Sequence, residues 1–191
     1  MKKTITLLLT LLFLNVLVVY AQDIDIGMEA INRASSASAG TMISRGNPAN
    51  ASGKITSVEI YANSDLKECK VATFYETDTN KFSTRDYEAI GTVTAGSKQT
   101  FTVDLDVVAG DYLGIYYSGG YIELDIYGVG YWYIFSADHI PCTEQAFSYR
   151  SSRTISLYGT GTTITGLPVT FNGATISKWN TAKITKWNGV E

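Results

Sequence analysis

The sequence predicts an all-β protein: a jelly-roll-like β-sandwich with a short C-terminal β-rich repeat tail. Three observations lead there. After Gln22, apolar and polar residues alternate with a period of two, and no segment shows a helical period. Clusters of Gly, Asn, Asp, Ser and Pro interrupt the alternation at short intervals. Glycine, threonine, serine and 13 tyrosines are prominent, whereas charged residues make up only 17% of the chain. That composition suits strands and tight turns. Two facing sheets would bury the apolar side of each segment; a closed barrel is the alternative.

The N-terminal residues read as a targeting segment. Lys2 and Lys3 precede an almost wholly apolar run over residues 5–20, and Val19 and Ala21 form a small-residue pattern before Gln22. A secretory signal peptide over residues 1–21 is expected, cleaved between Ala21 and Gln22. The run is short for a membrane span, and no stop-transfer charges follow it. The expected location is secreted or cell-surface, with no membrane span after cleavage.

The sandwich is expected over residues 22–159. Residues 24–28 and 41–44 read as early strands. The next candidates are 54–62, where Val58 and Ile60 are in register, then 69–76 and 87–93. Residues 100–107 alternate most clearly: Phe101, Val103, Leu105 and Val107 fall on one face, and Asp104 and Asp106 on the other. Further strands are expected at 112–118, 121–127, 131–135, 145–149 and 154–158. Turn signals separate them, among them Asn63-Ser64-Asp65, Ala109-Gly110-Asp111, Ser118-Gly119-Gly120 and Gly128-Val129-Gly130.

Residues 160–166 are rich in glycine and threonine and read as a linker. The tail, 167–191, repeats every eight residues: Phe171-Asn172-Gly173-Ala174, Trp179-Asn180-Thr181-Ala182, Trp187-Asn188-Gly189-Val190. Each unit reads as a short strand and a tight turn, which Asn-Gly favours. So few units bury little alone. They are expected to dock on the sandwich, to self-associate with another chain, or to stay mobile.

Charge and cysteine content narrow the function classes. The chain carries 15 basic against 18 acidic residues, a net charge of −3, and loss of Lys2 and Lys3 makes it more acidic. A nucleic-acid partner is not expected, although Lys178, Lys183 and Lys186 lie beside Trp179 and Trp187. Cys69 and Cys142 are the only cysteines, and in an oxidising compartment they are expected to form a disulfide. No metal site or cofactor is expected. Asp104, Asp106 and Asp111 lack a calcium-loop pattern and read as solvated strand and turn acids. Asn50-Ala51-Ser52 is a glycosylation sequon in a eukaryotic secretory pathway. The single histidine, His139, follows Asp138, but sequence neighbours rarely form a catalytic pair, and no Gly-x-Ser-x-Gly elbow is present.

Binding has more support than catalysis. Tyr121, Glu123, Asp125 and Tyr127 alternate onto one face, within a run from Tyr112 to Tyr133 that holds seven tyrosines and Trp132. Aromatic rings stack on the apolar faces of sugars, and carboxylates accept bonds from hydroxyls. The expected ligand residues are Tyr121, Glu123, Asp125, Tyr127 and Trp132, with Trp179 and Trp187 of the tail. The competing reading is a set of cross-strand aromatic pairs that stabilises an exposed sheet.

Two resemblances bear on this. Asn47-Pro48-Ala49-Asn50-Ala51-Ser52-Gly53-Lys54-Ile55, Val107-Val108-Ala109-Gly110-Asp111-Tyr112-Leu113-Gly114 and Ser156-Leu157-Tyr158-Gly159-Thr160-Gly161 together resemble jelly-roll modules of phage-associated and secreted environmental proteins. Lys186-Trp187-Asn188-Gly189-Val190 resembles the Lys-x-Asn-Gly-Val repeats at the ends of such proteins. This implies a binding or particle-surface role. Glu123-Leu124-Asp125-Ile126 resembles the Glu-x-Asp-x-x-Glu strand of laminarinase-type glycoside hydrolases, which are also jelly rolls. Tyr127 and Gly128 stand where a third acid would follow, so no acid/base is supplied.

The expectation is therefore a non-catalytic binding module with a glycan or cell-surface polysaccharide as ligand. The alternatives are a structural subunit of a surface layer, filament or phage-like particle, and, third, a laminarinase-like glycoside hydrolase.

Overall fold

The computed structural model describes residues 22–163 and, by backbone only, a hairpin within the tail. Residues 1–21, where a signal peptide is expected, and the tail tryptophans Trp179 and Trp187 lie outside the described residues. The strands are β1 (Asp23–Met28), β2 (Ser35–Ser44), β3 (Gly53–Asp78), β4 (Lys81–Val93), β5 (Lys98–Val107), β6 (Tyr112–Asp125), β7 (Tyr131–Phe135), β8 (Gln145–Ala146), β9 (Ser148–Arg150), β10 (Thr154–Ile155) and β11 (Leu157–Thr162). No helix occurs among the described residues, and every pairing is antiparallel.

These strands form one curled 11-stranded sheet, a half-barrel of the expected all-β, sandwich-like class. β3 belongs to both halves. Its first part pairs with β11 and β5, and its second part with β4 and β6. Ile24, Ile26, Ile55, Leu105 and Leu157 from one half meet Met42, Val71, Ile115, Tyr117 and Ile122 from the other in an inner core. β5 keeps the expected alternation: Val103, Leu105 and Val107 are buried, Phe101 packs against the core, and Asp104 and Asp106 are exposed.

Two expected turns are not turns. Asn63-Ser64-Asp65 lies inside β3, and Ser118-Gly119-Gly120 inside β6. Both are irregularities in strands that lie side by side, with Ser64 paired to Tyr121 and Lys67 to Gly119. Across them the inward-facing residues change parity. In β3 they run Val58, Ile60, Ala62, Leu66 and then Cys69, Val71; in β6 they run Leu113, Ile115, Tyr117 and then Ile122, Leu124. β2 shifts too, from Ala37 to Met42, at the irregularity between Ser38 and Gly40. A bulge adds a residue and bends the strand without ending it. Gly120 has φ 95°, and a Cβ there would lie 2.0 Å from the Asp65 carbonyl oxygen, so only glycine fits.

The outer face of the β2–β3–β6–β7 half is also buried. Ile43, Ala72, Phe74, Phe82 and Trp132 form a second core with Ile140 and Phe147, residues of the connection between β7 and β9. Lys70 Nζ holds this connection through Asp138 at 2.6 Å and the Ile140 carbonyl at 2.8 Å. Thr41 Oγ1 accepts the His139 N–H and donates to the Ala137 carbonyl. Central strands therefore carry continuous apolar runs rather than alternation.

The disulfide expectation is corrected. Cys69 and Cys142 are both free thiols. Cys69 points into the inner core, whereas Cys142 packs against the second core. The sheet lies between them, so their Sγ atoms cannot meet. Cys142 instead hydrogen-bonds with Thr84 and the Phe82 carbonyl.

The linker boundary is corrected as well. Gly159 to Thr162 belong to β11, which pairs with β1 and β3, and the Thr163 N–H reaches the Gln22 carbonyl at 3.0 Å. Small residues suit this position because the strand is flanked on both sides. In the tail, β12 (Val169–Phe171) and β13 (Ala174–Ile176) pair antiparallel with Phe171 opposite Ala174, which agrees with a strand-turn unit.

Leu105→Ala should destabilise the fold by about 2–5 kcal/mol in chemical denaturation, since Leu105 is fully buried. Burial pushes the Cys69 thiol up to about 12, so the native protein should resist thiol labelling at Cys69 near neutral pH. Mass spectrometry after unfolding without reductant should find both thiols alkylated. A Cys69–Cys142 crosslink would contradict the packing.

Candidate functional site

The β3–β4 hairpin closes through Thr79 and Asn80, with Asp78 paired to Lys81. Asn80 takes φ 57°, a left-handed conformation that asparagine tolerates better than most residues. That places its side chain beside β7. Asn80 Oδ1 accepts the Trp132 indole N–H at 2.7 Å. The Asn80 N–H donates to Glu76 Oε1 at 3.1 Å, and its carbonyl accepts the Phe147 N–H at 2.9 Å. The hairpin tip is thereby strapped to the sheet.

Rings gather under this strap. Trp132 lies 4.6 Å from Phe82, 5.1 Å from Tyr112 and 5.9 Å from Tyr149 by ring centroids. The Arg45 guanidinium sits 5.4 Å above the Tyr149 ring. It donates to the Tyr149 hydroxyl and the Val129 carbonyl, both at 3.1 Å. Arg45, Glu76, Asn80, Tyr112, Trp132 and Tyr149 line a recess of about 240 Å³, smaller than the usual small-molecule site. Burial raises the Tyr112 phenol, the Glu76 charge adds to the rise, and Arg45 opposes it. The recess thus offers aromatic walls, an acid, a guanidinium and an amide whose NH2 has no protein partner among the described residues.

The expected ligand residues do not assemble into one site. Trp132 closes the recess, but it is only 4% exposed and works as a wall. Tyr121, Glu123 and Asp125 do share the outward face of β6, yet they differ in environment. Tyr121 is exposed, whereas Glu123 is buried and accepts the Arg33 N–H at 2.9 Å and the Asn63 amide at 3.1 Å. Asp125 lies 3.8 Å from the Arg33 guanidinium. β6 ends at Asp125, so Tyr127 stands in the following loop. Glu123 and Asp125 organise the Arg33 segment and do not face each other across a cleft. The other tyrosines of the run divide between the two cores, with Tyr117 and Tyr131 inside the inner one.

The other acids singled out in the sequence, Asp104, Asp106, Asp111 and Asp138, have cationic partners. Lys54 Nζ lies 3.0 Å from Asp104 and 2.8 Å from Asp106. Asp111 is buried and takes two bonds from Arg85. Asp138 binds Lys70 and the Ile140 N–H, so it does not orient His139. The Asn50 side chain bonds the Asp25 N–H and the Asp23 carbonyl. Among the described residues, no cluster of His, Cys, Asp and Glu is placed to hold a metal ion.

Sequence reasoning missed Arg45, Glu76, Asn80 and Tyr149. Thr79-Asn80 carries a turn signal, but only the tertiary contact with Trp132 makes it part of a site. Trp132→Phe removes one indole hydrogen bond and should lower stability by about 1 kcal/mol in urea denaturation. No known protein family, curated protein or solved structure matches the chain, so its site is read from its own geometry.

Proposed function

We propose that this is a non-catalytic sugar-binding module that acts outside the cytoplasm, with the recess around Asn80 and Tyr149 as its site. The observation that carries the reading is the combination of half-exposed rings with a fixed amide, a carboxylate and a guanidinium in a space suited to one sugar ring. The Tyr112 and Tyr149 rings provide apolar contact surface; Glu76 and Asn80 provide an acceptor and donors for ring hydroxyls. These groups stand on strands and a strapped hairpin, so little ordering accompanies binding. The buried, fully bonded Glu123 supports a non-catalytic reading over the laminarinase-like one. The octad tail then adds avidity toward a polymer or toward a second chain.

A glycan array followed by calorimetry on the Gln22–Glu191 chain tests this. Tyr149→Ala and Asn80→Gly should each weaken binding by about tenfold or more, whereas Tyr121→Ala should leave it unchanged. A chain ending at Ile164 should unfold cooperatively and keep its affinity for a free monosaccharide, but bind polysaccharide more weakly. Concentration-dependent assembly with no glycan binding would favour the structural-subunit alternative.

A further inference from the structure

The loop between β6 and β7 presents apolar side chains to water. Ile126 is 44% exposed, Tyr127 73% and Val129 49%. The loop is nevertheless held in one shape. The Tyr127 N–H donates to Asp125 Oδ1 at 3.2 Å, and its carbonyl accepts Thr154 Oγ1 at 2.9 Å. Adjacent exposed apolar residues fixed on a rigid base mark an interaction surface more often than a chance pattern does.

Three arginines converge on the base of this loop through Gly130. The Gly130 N–H donates to the Arg153 carbonyl at 2.9 Å, and its own carbonyl accepts the Arg45 N–H at 3.3 Å. A Cβ at Gly130, where φ is 104°, would lie 2.8 Å from the Arg150 carbonyl oxygen. Two of the side chains bond loop carbonyls, and the Arg150 side chain turns along β7. Arg45 donates to the Val129 carbonyl and Arg153 to the Ile126 carbonyl, both at 3.1 Å, and Arg150 lies 5.5 Å above the Tyr133 ring. None of the three makes an ion pair among the described residues, while Arg33, Lys54, Lys70, Lys81, Arg85 and Lys98 all do. The acid at the start of the loop, Asp125, lies against Arg33. This concentration of unpaired cations occurs in a chain with more acid than base.

The geometry points to a docking surface for a lipid bilayer with anionic headgroups: Ile126, Tyr127 and Val129 enter the interface, and Arg45, Arg150 and Arg153 contact the headgroup phosphates. Charge complementarity selects an anionic partner. The projecting apolar tip selects a bilayer over a soluble polyanion, because a polyanion gives those side chains nothing to bury. A tyrosine among them suits the headgroup level, where an amphipathic ring is favoured. Ile126, Tyr127, Arg150 and Arg153 do not line the recess, and Arg45 is the one residue this surface shares with it.

Cosedimentation of the Gln22–Glu191 chain with phosphatidylcholine vesicles, with and without phosphatidylglycerol, tests it. Binding is expected only to the anionic vesicles and should weaken with salt. Arg150→Gln with Arg153→Gln should reduce partitioning by roughly 25-fold, about fivefold per arginine. Ile126→Ser with Val129→Ser should reduce it by about tenfold or more. Both double variants should keep their thermal unfolding and their sugar affinity. Failure of the parent chain to bind anionic vesicles, or binding insensitive to both variants, would overturn the proposal. So would binding of a soluble polyanion such as polygalacturonate that depends on Arg150 and Arg153 but not on Ile126 and Val129.

Discussion

A crease across three adjacent strands governs the architecture. It passes through the Ser64–Lys67 region of β3, Gly119–Gly120 of β6 and Gly40 of β2, which are neighbours in the sheet. At each crossing one strand inserts or skips a residue, so the set of side chains that faces inward changes parity. A strand without that shift would turn its apolar set outward beyond the bend. The shift lets β3 serve both halves of the sheet while Ile55, Val58, Ile60, Leu66, Val71 and Phe74 all stay buried. Gly120 is the tightest point, because the Asp65 carbonyl occupies the space a side chain would need. The inner core, the curl of the sheet and the position of β7 all follow from it.

The same crease explains what was legible in the sequence. A period-two pattern identifies strands correctly wherever the phase is constant, as in β5. Across a bulge the phase breaks, and Asn-Ser-Asp or Gly-Gly at the break carries the chemistry of a turn. One long strand then reads as two. β11 shows the converse: its glycines and threonines have linker composition, but pairing on both sides makes them a central strand. The cysteine pairing failed for a related reason. Residues on opposite faces of one sheet cannot be told from bonded partners by composition or compartment alone.

The candidate site was half legible. The aromatic run from Tyr112 to Tyr133 signals ring chemistry, and Trp132 does border the recess. Alternation then distributes those rings between two cores, because β6 and β7 are buried on both faces. What remains near solvent depends on distant segments. Asn80 arrives on a hairpin tip, Tyr149 on an edge strand and Arg45 just after β2. Glu123 illustrates the opposite outcome. It keeps its predicted face, but the Arg33 segment folds over that face, and the Arg33 N–H takes one carboxylate oxygen while the Asn63 amide takes the other. A motif can occupy the right strand with the right spacing and still be structural.

The two proposed surfaces are held by different means, and that difference suits different tasks. The recess is closed by side-chain hydrogen bonds and ring contacts between regular strands, an arrangement that preserves distances and favours selectivity. The β6–β7 loop is held by its own backbone through Gly130 and by arginines that grip its carbonyls, which leaves its side chains unengaged. Such a surface needs no shape complementarity and suits a fluid, laterally uniform partner. Arg45 is the one residue common to both: it stacks on Tyr149 in the recess and bonds Val129 in the loop. A ligand that draws the Arg45 guanidinium toward the recess would weaken its hold on the loop. If both proposals hold, Arg45 is the side chain through which the two surfaces would be coupled.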